Sequence, residues 1–295
     1  MLSSERLAMN RLVAVLSTAI AICGVATAAE PEFRRPIAPD DTVGEFRLEA
    51  GYRIELAACE PEVVDPVEVR FDEQGRMWVV EMRDYPHGPD DGERPRSRIR
   101  VLTDEDGDGR YETAHTFAEG LLFANGLEPW RGGVIVTLAG EIVWLKDTTG
   151  DGVADQRETW FRGLAEPNPQ LRANHPRFGP DGRIYVNNGL RTPEVIDVRD
   201  GAEERIDIAG RDFRFDPRGG GLEAVTGLGQ FGMTFDAGGE RFVCSNRNPL
   251  VHAVLPERYV RRNPRLAVTA TVHDVSPPAE RSRVYPLSRA WTTST

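Results

Sequence analysis

Two acidic loops carry the residue types and spacings best suited to chemistry. Asp104-Glu-Asp106-Gly-Asp108-Gly-Arg-Tyr-Glu112 sets oxygen side chains at positions 1, 3, 5 and 9 around turn-forming glycines. That spacing gathers carboxylates that would otherwise repel one another around one hard cation. The acid that an EF-hand carries at position 12 is replaced by His115. Asp147, Thr149, Asp151 and Asp155 repeat the pattern 43 residues later, with Thr149 removing one charge. These eight residues are read as calcium ligands; the alternative is a pair of Asp/Gly-rich turns holding no metal.

Of the five histidines, His87 and His175 fall in or beside long loops and are the ones placed to act on a ligand. His115 and His273 read as structural or solvated, and His252 is open to either reading. The chain contains no CxxCH, no GxSxG, no Walker loop and no GxGxxG after a strand, so haem attachment, serine hydrolysis and nucleotide binding by those motifs are set aside. Polar residues precede each expected inner strand: Asp65, Asn125, Asn174 and Gln230. They either ring a common opening or cap strand ends by bonding neighbouring backbone.

The elements that must position these groups are short strands around tight turns. Val69–Met82 (VRFDEQGRMWVVEM) alternates, turns at Asp72–Gly75 and continues as an apolar run; versions recur at 127–137, 177–187 and 234–245. The turn glycines Gly75, Gly133, Gly182 and Gly239 lie 58, 49 and 57 residues apart. A period near 50 with several strands per repeat is the pattern of β-propeller blades. The expected fold is therefore all-β, a propeller of the six-bladed type with about four blades present as a fragment.

Expected strands are 67–71, 77–82, 99–102 and 113–117 in the first blade. The second has 126–130, 134–138, 142–145 and 158–161. The third runs from Pro176 to Val225, with 212–215 and 222–225 outermost, and the fourth starts at Phe231. A short helix is expected over Pro256–Arg262. Up-and-down blades put the tight turns and both acidic loops at one end. The long connections 83–97, 162–174, 188–194 and 246–251 go to the other end, where a site belongs. His87, Asn125, Asn174, His175, Arg191, Gln230, Asn246 and Arg247 would surround the channel mouth there.

Composition bounds the partners. The formal charge is −11 over 295 residues, which speaks against nucleic acid or an anionic membrane as the main partner. Arg6 and Arg11 precede the apolar run Leu12–Ala28, which ends in Ala-Thr-Ala. This reads as a signal peptide over 1–28, with no transmembrane helix left after cleavage. The protein is then exported, to the periplasm or the cell exterior, with or without membrane association. Residues 29–44 read as a Pro-rich linker and 45–295 as the propeller part. Cys59 and Cys244 read as free thiols in preference to a disulfide.

The phrases GYRIELAACEP, RFDEQGRMWVVEMRDYPHG, IRVLTDEDGDGRYE, NPQLRANHPRFGPDGRIYVNNGLR and GQFGMTFDAGGERFVCSNRNP, taken in this order, carry a resemblance. They are similar to the exported putative membrane-bound dehydrogenase propellers, relatives of the PQQ-dependent glucose/sorbosone dehydrogenases, from about Glu45 onward. The resemblance implies a six-bladed fold, a sugar or alcohol substrate, PQQ as hydride acceptor and a cytochrome c domain in a longer chain. It makes His175 the general base and Arg191 and Arg247, with Asn174 and Asn246, the holders of an anionic quinone. Two departures stand beside it. His175 lies closer to the FGPDG turn than the family's catalytic histidine, and the family's quinone-gripping Arg and Lys have no match. The rival expectation is a noncatalytic, calcium-stabilised propeller that binds glycan or a partner protein. Tyr52–Ala58 is expected as a closing strand whose blade partners lie beyond Thr295.

Overall fold

Alternating and fully apolar pentads dictate a series of antiparallel sheets. A computed structural model describes residues 37–275 apart from 202, 264 and 266. In the first sheet β1 (Pro66–Phe71), β2 (Met77–Glu81), β3 (Ser97–Thr103) and β4 (Thr113–Leu121) pair in chain order. The second begins the same way with β5 (Gly126–Trp130), β6 (Gly133–Thr137), β7 (Glu141–Lys146) and β8 (Gln156–Arg162). The third uses β9 (Asn174–Phe178), β10 (Ile184–Asn187), β13 (Asp212–Phe215) and β14 (Glu223–Val225). The fourth is built of β15 (Met233–Phe235), β16 (Arg241–Val243), β17 (Val251–His252) and β18 (His273–Asp274). Four consecutive blades of β-propeller type result. A helical turn at Glu257–Val260 falls where the short helix is expected.

One excursion breaks the pattern. Between β10 and β13 the chain forms a hairpin, β11 (Glu194–Asp197) and β12 (Glu204–Asp207), that leaves its own blade. β11 pairs with β8, so the second sheet has six strands in the order β12-β11-β8-β7-β6-β5. The expected loop at 188–194 leads into this excursion, with only Glu194 lying in a strand. Val195 and Ile208 are fully buried in the layer between the second and third blades, which holds the hairpin down.

The core lies between sheets. Trp78, Val80, Ile99 and Val101 of the first sheet meet Leu127, Val134, Val136 and Val143 of the second. Ile135, Ile142, Trp160 and Phe161 meet Ile184, Val186, Phe213 and Phe215 in the next layer. Inner strands covered on both faces are largely apolar, and β2 and β6 are buried at every position, the terminal Glu81 and Thr137 included. β1 runs beside β5, and β5 beside β9, so first strands of successive blades stand next to one another.

Local chemistry explains the turns. Asp72 accepts from the Gln74 and Arg76 amides and from Trp78 Nε1, while Gly75 takes φ +79°. Asp236 and Gly239 repeat the device. The second blade departs from it. Its turn is Arg131–Gly132, both at positive φ, a two-residue loop of the type favoured by strand twist. Gly133 is therefore a strand residue, where a Cβ would lie 2.3 Å from the Leu145 carbonyl oxygen.

Tyr52–Ala58 is extended but joins no sheet. Ala57 and Ala58 instead lie against Val63, Met77, Val79 and Leu102 on the outer face of the first blade. Val67, Val69 and Phe71 remain exposed on that side. The expected signal peptide and residues 29–36 of the expected linker lie outside the described residues. Among the described residues no helix is long and apolar enough to cross a membrane, and Cys59 and Cys244 are free thiols.

Candidate functional site

Alternation on β1 turns Glu68 and Arg70 away from Val67, Val69 and Phe71, toward the strands of the neighbouring blades. Arg70 Nε donates to Glu128 Oε2 of β5 at 3.3 Å, and its Nη1 forms a short contact with Glu68 Oε1. His175 of β9 brings its Nδ1 to 2.6 Å from Glu68 Oε2. Its Nε2 lies 3.0 Å from the Met233 carbonyl of β15 and 3.2 Å from Arg70 Nη2. Four inner strands from four blades thus converge on one ionisable cluster.

The backbone makes this possible. His175 sits at φ +53° where the β9–β10 register shifts, so its ring leaves the regular alternation of the strand. Gly126 lets the two strands close: a Cβ there would be 2.6 Å from the His175 amide nitrogen and 2.7 Å from Pro176 Cδ.

Burial decides the electrostatics of Glu128. Desolvation pushes its carboxyl up to about 7, although Arg70 and Arg177 pull the other way. Arg70 cannot offset the burial because it also serves Glu68, and Glu68 itself repels the Glu128 anion. Glu128 is therefore a carboxyl that exchanges its proton around neutral pH, a perturbation of the kind that clusters at functional sites.

At the expected mouth half of the predicted residues are engaged. Asn174 is buried and donates to the Arg172 carbonyl at 2.9 Å and the Gln230 carbonyl at 2.6 Å. Asn125 accepts from Thr137 Oγ1 at 2.6 Å, and Gln230 Oε1 accepts from the Asn246 amide at 3.0 Å. These residues cap strand ends. Tyr85 and Gln170, from two of the long connections, meet at 2.5 Å. Arg191, Asn246, Arg247 and His87 are exposed. His252 stacks on Phe242 and sits 3.0 Å from Glu240, a structural role.

Sequence reading missed Arg172. It is buried, its Nε donates to the Glu166 carbonyl at 2.6 Å, and its guanidinium lies 4.1 Å from the Phe123 ring centroid. Its Nη1 is buried without a partner, as is Asn187 Oδ1; Asn187 donates to Asn174 Oδ1 at 3.3 Å. Gly189 makes room, since a Cβ there would lie 1.8 Å from the Arg172 carbonyl oxygen.

The acidic loops differ. Ligand atoms of Asp104, Asp106, Asp108 and Glu112 lie within 4.8 Å of one another, a spread that oxygens at roughly 2.3–2.6 Å from one calcium ion can span. Asp104 also receives the Gly107 and Gly109 amides. In the second loop Asp147 receives the Thr149, Gly150 and Gly152 amides, which hold its carboxyl below the usual range. Asp155 receives Thr148 and Asp151 receives Val153. Among the described residues the carboxylates of this loop do not gather as those of the first do.

The sheets and their central cluster define a β-propeller protein. The chain belongs to the family described as Domain of unknown function (DUF7133), whose model matches residues 38–295. No curated protein matches it. Among solved structures it is similar to a carbohydrate-active enzyme of family AA12 from Trichoderma reesei (15% identity, 64% of this chain, 45% of that one, TM-score 0.43). It is also similar to the PQQ domain of pyranose dehydrogenase from Coprinopsis cinerea (14%, 65% and 44%, 0.41). A gluconolactonase from Xanthomonas campestris gives 16%, 64% and 57%, with a TM-score of 0.39. The chain spans about half the length of these structures.

Proposed function

We propose that this chain is the propeller part of an exported dehydrogenase of the quinoprotein type, acting on a hydroxyl group of a sugar or alcohol. The observation that carries this reading is the ionisable cluster of Glu68, Arg70, Glu128 and His175, in which Glu128 titrates near neutrality. Oxidising a hydroxyl requires a group that takes its proton, and a carboxyl with a pKa near the working pH is suited to that. Glu128 takes that role here, while Glu68 fixes the His175 ring and Arg70 balances both carboxylates.

A quinone such as PQQ, when bound, supplies the hydride acceptor. Of the expected holders, the Asn174 amide is spent on two carbonyls, while Arg191, Arg247 and Asn246 are exposed. The chain also offers Arg172, whose buried, unpartnered Nη1 suits a carboxylate, with Asn187 Oδ1 as an acceptor in the same hydrogen-bonded chain. Calcium at Asp104–Glu112 has a structural part in this reading.

The second reading, a noncatalytic calcium-stabilised propeller, is favoured by one contact. His175 Nε2 faces the Met233 carbonyl, so a substrate reaches that nitrogen only by displacing it. The test is titration of the full chain with PQQ, followed by dye reduction with a panel of aldoses and primary alcohols. Quinone binding weakened by Arg172→Leu, with turnover lost in Glu128→Gln and kept in the exposed turn variant Glu73→Gln, is the expected result. No quinone binding and no dye reduction would leave the noncatalytic reading standing.

A further inference from the structure

We infer that the cleft between the second and third blades, at the tight-turn end, is a second binding site, and that its ligand is the pyranose ring of a neutral saccharide. The inference stands apart from the channel cluster and does not rest on the dehydrogenase reading. The cleft encloses about 500 Å³, inside the roughly 300–1,000 Å³ range of small-molecule sites.

Three tryptophans border it: Trp130, Trp144 and Trp160. Trp144 and Trp160 stack with centroids 6.0 Å apart and planes at 24°. Trp144 Nε1 donates to the Trp130 carbonyl at 3.1 Å, which locks the first two together. Indole faces carry negative charge density and here attract cations, Arg131 over Trp130 at 5.1 Å and Lys146 over Trp144 at 5.5 Å; the axial C–H groups of a pyranose present a positive edge that would take their place. Trp130 and Trp144 keep part of their surface accessible while packing on the core layer beneath.

The rim selects among ligands that stack. Glu158 and Asp200 stand on one side of the balance and Arg131, Arg199 and Arg218 on the other, with Arg199 already paired to Asp197 and Arg218 to Asp216. Asp200, Arg131 and Arg218 are exposed. An anion would meet two carboxylates and a cation three guanidinium groups. A neutral, hydroxyl-rich ring uses both, donating to the carboxylates and accepting from the arginines. The site is assembled from two blades and the excursion, since Val198, Arg199 and Asp200 come from the β11–β12 turn.

The experiment is calorimetric titration of the full chain with cellopentaose, xylopentaose, mannopentaose and laminaripentaose, with tryptophan fluorescence as a second readout. At least one should bind, and Trp130→Ala should weaken it by about tenfold or more. Trp130 touches the core, so the rim variant Glu158→Gln/Asp200→Asn is read beside it: affinity should fall while the unfolding midpoint holds. Absence of binding by all four at millimolar concentration overturns the proposal. So does binding unchanged in both variants, or binding abolished by His175→Ala, which would put the sugar in the channel.

Discussion

Replacing Glu128 by Gln should remove a defined segment of the protein's pH-dependent stability. In the folded state burial raises the Glu128 pKa from 4.5 to about 7. The folded protein therefore holds a proton that the unfolded chain has released between these values. Stability from this group is fully present below about pH 4.5 and is lost as pH rises through about 7. With about 1.36 kcal/mol per pH unit, the loss is on the order of 3 kcal/mol. The side chain is only 14% exposed, so solvent screening takes little of it. The groups facing Glu128 are Arg70, Arg177 and Glu68, with His175 joined to Glu68 and Arg70. Urea unfolding of wild type and Glu128→Gln at intervals from pH 4.5 to 8 is the assay. The variant should lose the downward slope and should gain relative to wild type above pH 7. Parallel curves would refute the burial argument, as would a Glu128 carboxyl carbon titrating near 4.5 by NMR.

Calcium should raise the thermal midpoint of the full chain, by about 2.7 kcal/mol of stability at a hundredfold excess over Kd. Asp108→Ala should abolish the shift and Asp151→Ala should hardly alter it; calorimetric scans with calcium and with chelator decide, and an indifferent midpoint rejects the ion. Asp212 is fully buried and accepts from the Asn188 and Gly229 amides and from Arg241. Asp212→Ala leaves that arginine buried and unpaired, so it should cost about 3–5 kcal/mol in urea unfolding; a cost below about 1 kcal/mol would show that the site relaxes around the loss.

Sequence alone determined the features that neighbours in the chain decide. Strand β5 runs from Gly126 to Trp130 as read from the pattern, and Asp72 with Gly75 makes the β1–β2 turn through contacts a few residues away. The gathering of Asp104, Asp106, Asp108 and Glu112 is of the same kind, because nine consecutive residues wrap their own side chains inward. Contacts across long separations were illegible. Arg70 and Glu128 are 58 residues apart and Glu68 and His175 107 apart, and nothing local marks Glu128 as special. Its pKa is a property of what covers it. The same holds for the β11–β12 hairpin, whose sequence permits pairing with its own blade; only the free edge of β8 and the apolar layer beneath Val195 and Ile208 direct it to the neighbour. Asn174 shows the limit most plainly: its position predicts a channel mouth or a capped strand end, and tertiary structure chose the cap by bringing the Arg172 and Gln230 carbonyls to its amide.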